Sequence, residues 1–257
     1  MIVGTRFGAV FVTLLFGLFY YAQGKHSKQS LAIGVLAYLT TFWLVLGSLI
    51  VGFLLLPIVH IEWDLPVFLS QGLQTLFGPF IRTMAVHLPP WAVITNGAVW
   101  LMLSFRIADF ALPNREGSQV GSVHRETLKS TLLMFLLGLG VTLLSQSVTA
   151  SFGLMVPLYA TGYTSARRFI PYALGASIPA FTNTLLAARL LHNSAAVHVV
   201  TTELISTSIV SLIIVFAGLP RYERMIQKWT DYFTESSKQV FLFLALTFII
   251  PLILVLL

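Results

Sequence analysis

The run "LLSQSVTASFG", residues 143–153, sets Ser145, Gln146, Ser147, Thr149 and Ser151 in an apolar stretch with no charge among them. The apolar block around it, residues 130–165, is too long for one crossing of a roughly 30 Å hydrocarbon core, which takes about 20 helical residues. It is also short for two crossings and a turn. The spacing fits a re-entrant helical hairpin that enters a membrane, turns at the polar run and leaves on the same side. Backbone that turns at membrane depth is tolerated only where it is buried in protein or lines a watery cavity.

Composition sets the same scene. Of 257 residues, 57% are hydrophobic and 9% charged, and the mean hydropathy is +0.88. These values point to an all-α, multi-pass protein of the cell membrane, with the lipid bilayer as its first partner. The first apolar run has no small-residue cleavage site after it and reads as a span, not a removable signal. With no cysteine, disulfides, thiolate metal sites and a cysteine nucleophile are excluded. The net charge of +6 comes from Lys and Arg in short loops, where they set topology, so no nucleic-acid partner is implied.

Spanning helices are expected at 4–22, 31–58, 91–113, 169–191, 198–219 and 239–257. Residues 66–88, interrupted by Gln71, Gln74, Gly78, Pro79 and Arg82, read as an interfacial or broken helix. The loops at 23–30, 114–129, 165–168 and 220–238 hold most of the positive charge and are expected on the cytoplasmic side. All four share that side only if 66–88 does not cross and 130–165 returns to where it entered. The linker "HIEWDLP", residues 60–66, and the N-terminus then fall outside.

Sliding the chain by 171 residues lays "IVGTRFGAVFVTLL" (2–15) over "ALGASIPAFTNTLL" (173–186), matching Gly4 with Gly175, Ala9 with Ala180 and Thr13 with Thr184. The two copies would cross in opposite directions. Inverted-topology repeats of this kind are a recurrent plan of secondary transporters, with substrate held at broken helices near the midplane. The expected division is 1–113, a partial first repeat with scaffold helices, and 114–257, a second repeat with the hairpin 130–165 and following helices.

Gln146 and Ser147, followed by Gly175 in "LGASIPAFTNTLLAA", resemble the type II sodium–phosphate cotransporter family. Its repeats carry Q-S-S-S at a hairpin tip and G-A-N-I-G-T-T at the start of the next helix. The resemblance covers about residues 130–220 and, through the shifted copy, 1–58 more loosely. It implies symport of inorganic phosphate or a similar small anion with sodium as the driving ion and no cofactor. It further implies that one repeat bundle shifts against a scaffold to alternate access. Gln146, Ser147 and Thr149 occupy the places of the Q, the first S and the last S, and Thr184 that of a later Thr. The full candidate set is Gln146, Ser147, Thr149, Ser151, Ser177, Asn183 and Thr184, with Arg6 and Thr13 from the first copy.

The departures remove hydrogen-bonding groups. Val148 replaces the middle Ser, Ser177 stands for Asn, Pro179 for the second Gly, and Ala180 and Phe181 for the two Thr. In the first copy Arg6 stands where the family has Asn. It either offers an anion a fixed positive charge or is a terminal charge at the interface. That copy begins at its post-hairpin helix, so its hairpin is expected either upstream of Met1 or from a partner chain in a homodimer.

The chemistry has a reason of its own. A desolvated oxyanion needs donors, which hydroxyls, carboxamides and helix N-terminal amides supply, and sodium needs the oxygens that an unwound tip also offers. Ser and Thr in membrane helices also satisfy carbonyls or let helices pack closely, and Gly138, Gly140 and residues 175–177 suit such contacts. Arg106 and Asp109 read as a snorkelling or intrahelical pair. Glu203 is costly if exposed to lipid, and burial against a partner or the outer interface accounts for it better than proton coupling. His60, Glu62 and Asp64 read as a solvated rim. His192 and His198, six apart, share no helical face for zinc. No paired carboxylate, nucleophile–base pair or phosphate-cradling Gly-rich loop is present, so no enzyme is expected. The alternatives to a phosphate carrier are a carrier of a different solute and a non-transporting subunit or sensor that keeps the fold.

Overall fold

The computed structural model describes residues 2–22, 27–59, 131–160, 164–190 and 193–256, with isolated positions between 75 and 103. Among the described residues every regular element is a helix. Helices α1 (Ile2–Ala22) and α2 (Ser27–Leu55) lead; α3 (Thr131–Ser145), α4 (Val148–Ala160) and α5 (Ala166–Ala176) follow. A 3₁₀ turn (Pro179–Phe181) precedes α6 (Thr182–Leu190). Helix α7 (Ser194–Ile213) runs through a π-helical segment (Ile214–Gly218) into α8 (Leu219–Thr234), and α9 (Ser237–Leu256) is last.

Two helical stretches are long and apolar enough to cross a membrane, Leu31–Leu55 and Ser194–Thr234. At 1.5 Å per residue the first reaches about 37 Å, more than the ~30 Å of a hydrocarbon core. Helices α3 and α4, of 15 and 13 residues, are each shorter than that core. They meet at Gln146–Ser147, where the polar run places the turn.

Glycines set two close crossings. A Cβ on Gly138 would lie 2.0 Å from the Tyr172 carbonyl oxygen, and one on Gly175 would lie 2.0 Å from that of Phe135. Helices α3 and α5 therefore touch backbone to backbone through this reciprocal pair. Gly34 lets α2 close on α1, where a Cβ would sit 2.9 Å from Leu14 Cα. Gly140, also expected at a contact, faces open space. Around these crossings Leu14, Ile33, Leu36, Phe135, Phe152, Phe169, Leu174 and Ile226 form one core drawn from α1 to α5 and α8.

Two expected elements take other forms. The span at 169–191 is broken after Ala176. Pro179 has no N–H to give and its ring opposes a helical carbonyl four residues back, while Ser177 Oγ turns back to the Ala173 carbonyl at 2.7 Å. The chain tightens into the 3₁₀ turn before resuming as α6. The loop expected at 220–238 is largely helix. Pro220 sits in the first turn of α8, where its missing N–H is harmless. Leu219, Ile226 and Thr230 face inward, and Arg221, Arg224 and Lys228 are exposed. The expectations at 60–66 and 114–129, for Arg106 and Asp109, and for His192 lie outside the described residues, as do most positions of 66–88 and 91–113.

Candidate functional site

The turn between α3 and α4 is held by its own polar side chains. Gln146 has φ of 54°, a left-handed conformation that costs a non-glycine residue about 1–2 kcal/mol. Four bonds hold it there. Its N–H donates to Thr142 O at 2.8 Å, and its Nε2 to Leu143 O at 2.7 Å, which satisfies carbonyls at the end of α3. Its Oε1 accepts from Thr182 Oγ1 at 3.2 Å. Its carbonyl accepts from Asn183 Nδ2 at 2.7 Å. The turn is thereby tied to the start of α6.

Ser147 caps α4, its Oγ accepting from Ala150 N at 3.2 Å, the usual role of a serine at that place. Ser145 Oγ donates to Ser147 O at 3.2 Å. Thr149 Oγ1 donates to Ala9 O at 3.1 Å and fastens the turn to α1. Ser151 Oγ, fully buried, bonds Tyr172 OH at 2.7 Å, and that phenol donates to Ser151 O at 3.0 Å.

A cavity of about 230 Å³ lies against this turn, room for several waters. Gln146, Ser147, Thr149, Ser177, Thr184 and Arg6 line it. Three of the expected site residues do not. Ser151 is committed to Tyr172. Asn183 is exposed and braces the turn from behind. Thr13 is fully buried and its hydroxyl finds no partner among the described residues. Gln146 reaches the cavity, but its carboxamide is largely spent on the turn.

Arg6 defines the electrostatics. It is 9% exposed. Its guanidinium lies 3.5 Å over the Phe181 ring, a cation–π contact strengthened by desolvation. Its Nη1 donates to Ser177 O at 3.3 Å, and its Nη2 is buried without a hydrogen-bond partner among the described residues. A buried, incompletely paired guanidinium is costly, and an oxyanion in the cavity would relieve that cost. Thr41 adds a second buried hydroxyl without a partner among the described residues and, with Thr207, lines the cavity. Sequence reasoning missed Thr41, Thr207 and the role of Phe181. The cue for Thr207 was the cluster Thr201, Thr202, Ser206, Thr207 and Ser208 in an apolar helix, the kind of signal that marked 143–153.

No family model, curated protein or solved structure matches the chain, so its function is read from the site itself.

Proposed function

We propose that this chain is a multi-pass membrane carrier of a small oxyanion, built from inverted repeats around the Arg6 cavity, with the α3–α4 unit as a re-entrant hairpin. The observation that carries the reading is the buried Arg6 guanidinium, stacked on Phe181, with Nη2 unpartnered among the described residues in a hydroxyl-lined cavity. Charge-assisted bonds from arginine are the strong ones for a planar or tetrahedral oxyanion. Inorganic phosphate is the substrate and sodium the driving ion implied by the family resemblance. A guanidinium and a sodium ion repel each other, so a sodium site belongs away from Arg6.

Two further features support the plan. Arg6 and Ser177 stand 171 residues apart, the offset of the repeat, and bond each other across the cavity. The matched pair Ala9 and Ala180 also line it, as expected when two copies meet about a shared axis. Large apolar side chains face outward on the long helices, among them Ile50, Phe53 and Leu54 on α2 and Ile213 and Phe216 on α7 and its extension. Outward-facing apolar side chains of this size suit lipid. The second reading, a non-transporting subunit, is favoured by the apolar lining at Val148, Ala180 and Phe181.

Uptake of labelled phosphate into proteoliposomes separates the two. The carrier reading expects uptake that falls in Arg6→Gln and Thr149→Val. A correctly inserted protein with no flux, indifferent to both changes, supports the subunit.

A further inference from the structure

The cavity beside the α3–α4 turn holds little charge. Arg6 is the one charged or titratable side chain among the described residues that line it. Val10, Leu44, Val45 and Val148 form apolar parts of its wall and offer an ion nothing. Glu203, one helical turn before Thr207 on α7, does not line it and accepts from Ser48 Oγ at 2.8 Å. A single guanidinium offsets a single negative charge, so a monoanion on Arg6 leaves the loaded cavity neutral. A second negative charge on the same anion would be desolvated without a partner, which a low-dielectric interior penalises heavily.

The hydrogen-bonding groups point the same way. Thr149 Oγ1 gives its hydrogen to Ala9 O at 3.1 Å, and Ser177 Oγ gives its own to Ala173 O at 2.7 Å. A hydroxyl has one hydrogen and two lone pairs, so at the cavity these two oxygens can only accept. They suit an anion that still carries O–H groups. The bare oxygens of a fully ionised anion would meet them lone pair to lone pair. Donors come from Arg6 Nη2 and from the buried Thr41 hydroxyl, both without a partner among the described residues.

We infer that the cavity selects oxyanions by charge, accepting those with one negative charge and rejecting dianions, so that phosphate is bound as dihydrogen phosphate. This rests on the reading of the cavity as an oxyanion site. The selection comes from the ligand's ionisation, because the guanidinium stays charged and no other lining group titrates.

Equilibrium binding to the purified protein, by competition against labelled phosphate, tests this. Sulfate keeps two negative charges, and methyl sulfate one, across the pH range in which phosphate takes its second ionisation. Methyl sulfate is the larger, so a limit on size would favour sulfate. Sulfate is expected to bind at least about tenfold more weakly than methyl sulfate. Apparent phosphate affinity should fall about tenfold per pH unit above its second ionisation, in step with the monoanion, while methyl sulfate affinity stays level. A smaller gap between the two sulfates, or none, overturns the inference. So does a phosphate affinity that holds or rises with pH, or a methyl sulfate affinity that falls alongside it. Each of these results leaves the oxyanion site standing, since phosphate is still bound. A folded wild-type protein that binds no phosphate at any pH defeats the reading of the cavity and this inference with it.

Discussion

Replacing Gly138 with alanine would set a methyl group 2.0 Å from the Tyr172 carbonyl oxygen and 2.8 Å from its carbon. Both are backbone atoms of a packed helix and cannot swing away. To reach 3.4 Å, where ordinary contact begins, α3 and α5 must part by about 1.4 Å, a large displacement for a close-packed interior. Overpacking costs typically ~1–3 kcal/mol and occasionally more, offset by about 1 kcal/mol of gained helix propensity. For a backbone-on-backbone clash the net loss should be about 2 kcal/mol, or roughly 4–8 °C in Tm for a chain of this size. Gly140 is the internal control. It lies on the same helix, and no atom comes within 4 Å of the place its methyl group would take, so Gly140→Ala should raise Tm by roughly 2–4 °C. Thermal unfolding of detergent-solubilised protein, followed by tryptophan fluorescence, reads both. A Gly138→Ala protein that melts at or above the wild-type temperature would refute the crossing.

Gly175→Ala should cost as much as Gly138→Ala, and the double variant less than the sum, because one separation relieves both clashes; the same melts decide it. Tyr172→Phe leaves the buried Ser151 hydroxyl without its phenol partner and should cost about 1–2 kcal/mol, with little further loss on adding Ser151→Ala in a double-mutant cycle. At Gln146 glycine should be more stable than alanine by about 1 kcal/mol. Both lose the carboxamide bonds, but glycine alone accepts φ of 54° without strain. Both should speed hydrogen exchange across 143–150, and an alanine variant as stable as glycine would argue against the left-handed turn.

Length and polarity made the α3–turn–α4 unit legible: a block too long for one helix carried its hydrogen-bonding groups at the middle. What those groups bond was not legible, because Thr182, Asn183 and Ala9 are distant in sequence. The break at Pro179 was misread because its neighbours were matched to a motif, which hid the cost of a proline inside a helix. The helix at 219–234 was read as loop because its basic residues, between two apolar runs, resemble a connection. The inward spacing of Leu219, Ile226 and Thr230 was the contrary signal. Of the two small residues expected at a close contact on α3, only Gly138 faces a neighbour, and sequence alone does not distinguish it from Gly140. Arg6 was found through the repeat offset, whereas its seat on Phe181 and its bond to Ser177 required the fold.

The most direct test of the central claim is equilibrium binding of labelled phosphate to the purified protein, with Arg6→Gln and Arg224→Gln compared in parallel. Arg224 is exposed on α8, away from the cavity, and its loss should leave binding unchanged. A charge-assisted hydrogen bond is worth about 1.5–3 kcal/mol, so Arg6→Gln should bind at least about tenfold more weakly. Equal affinity in wild type and Arg6→Gln, or a folded wild-type protein that binds no phosphate, would contradict the account.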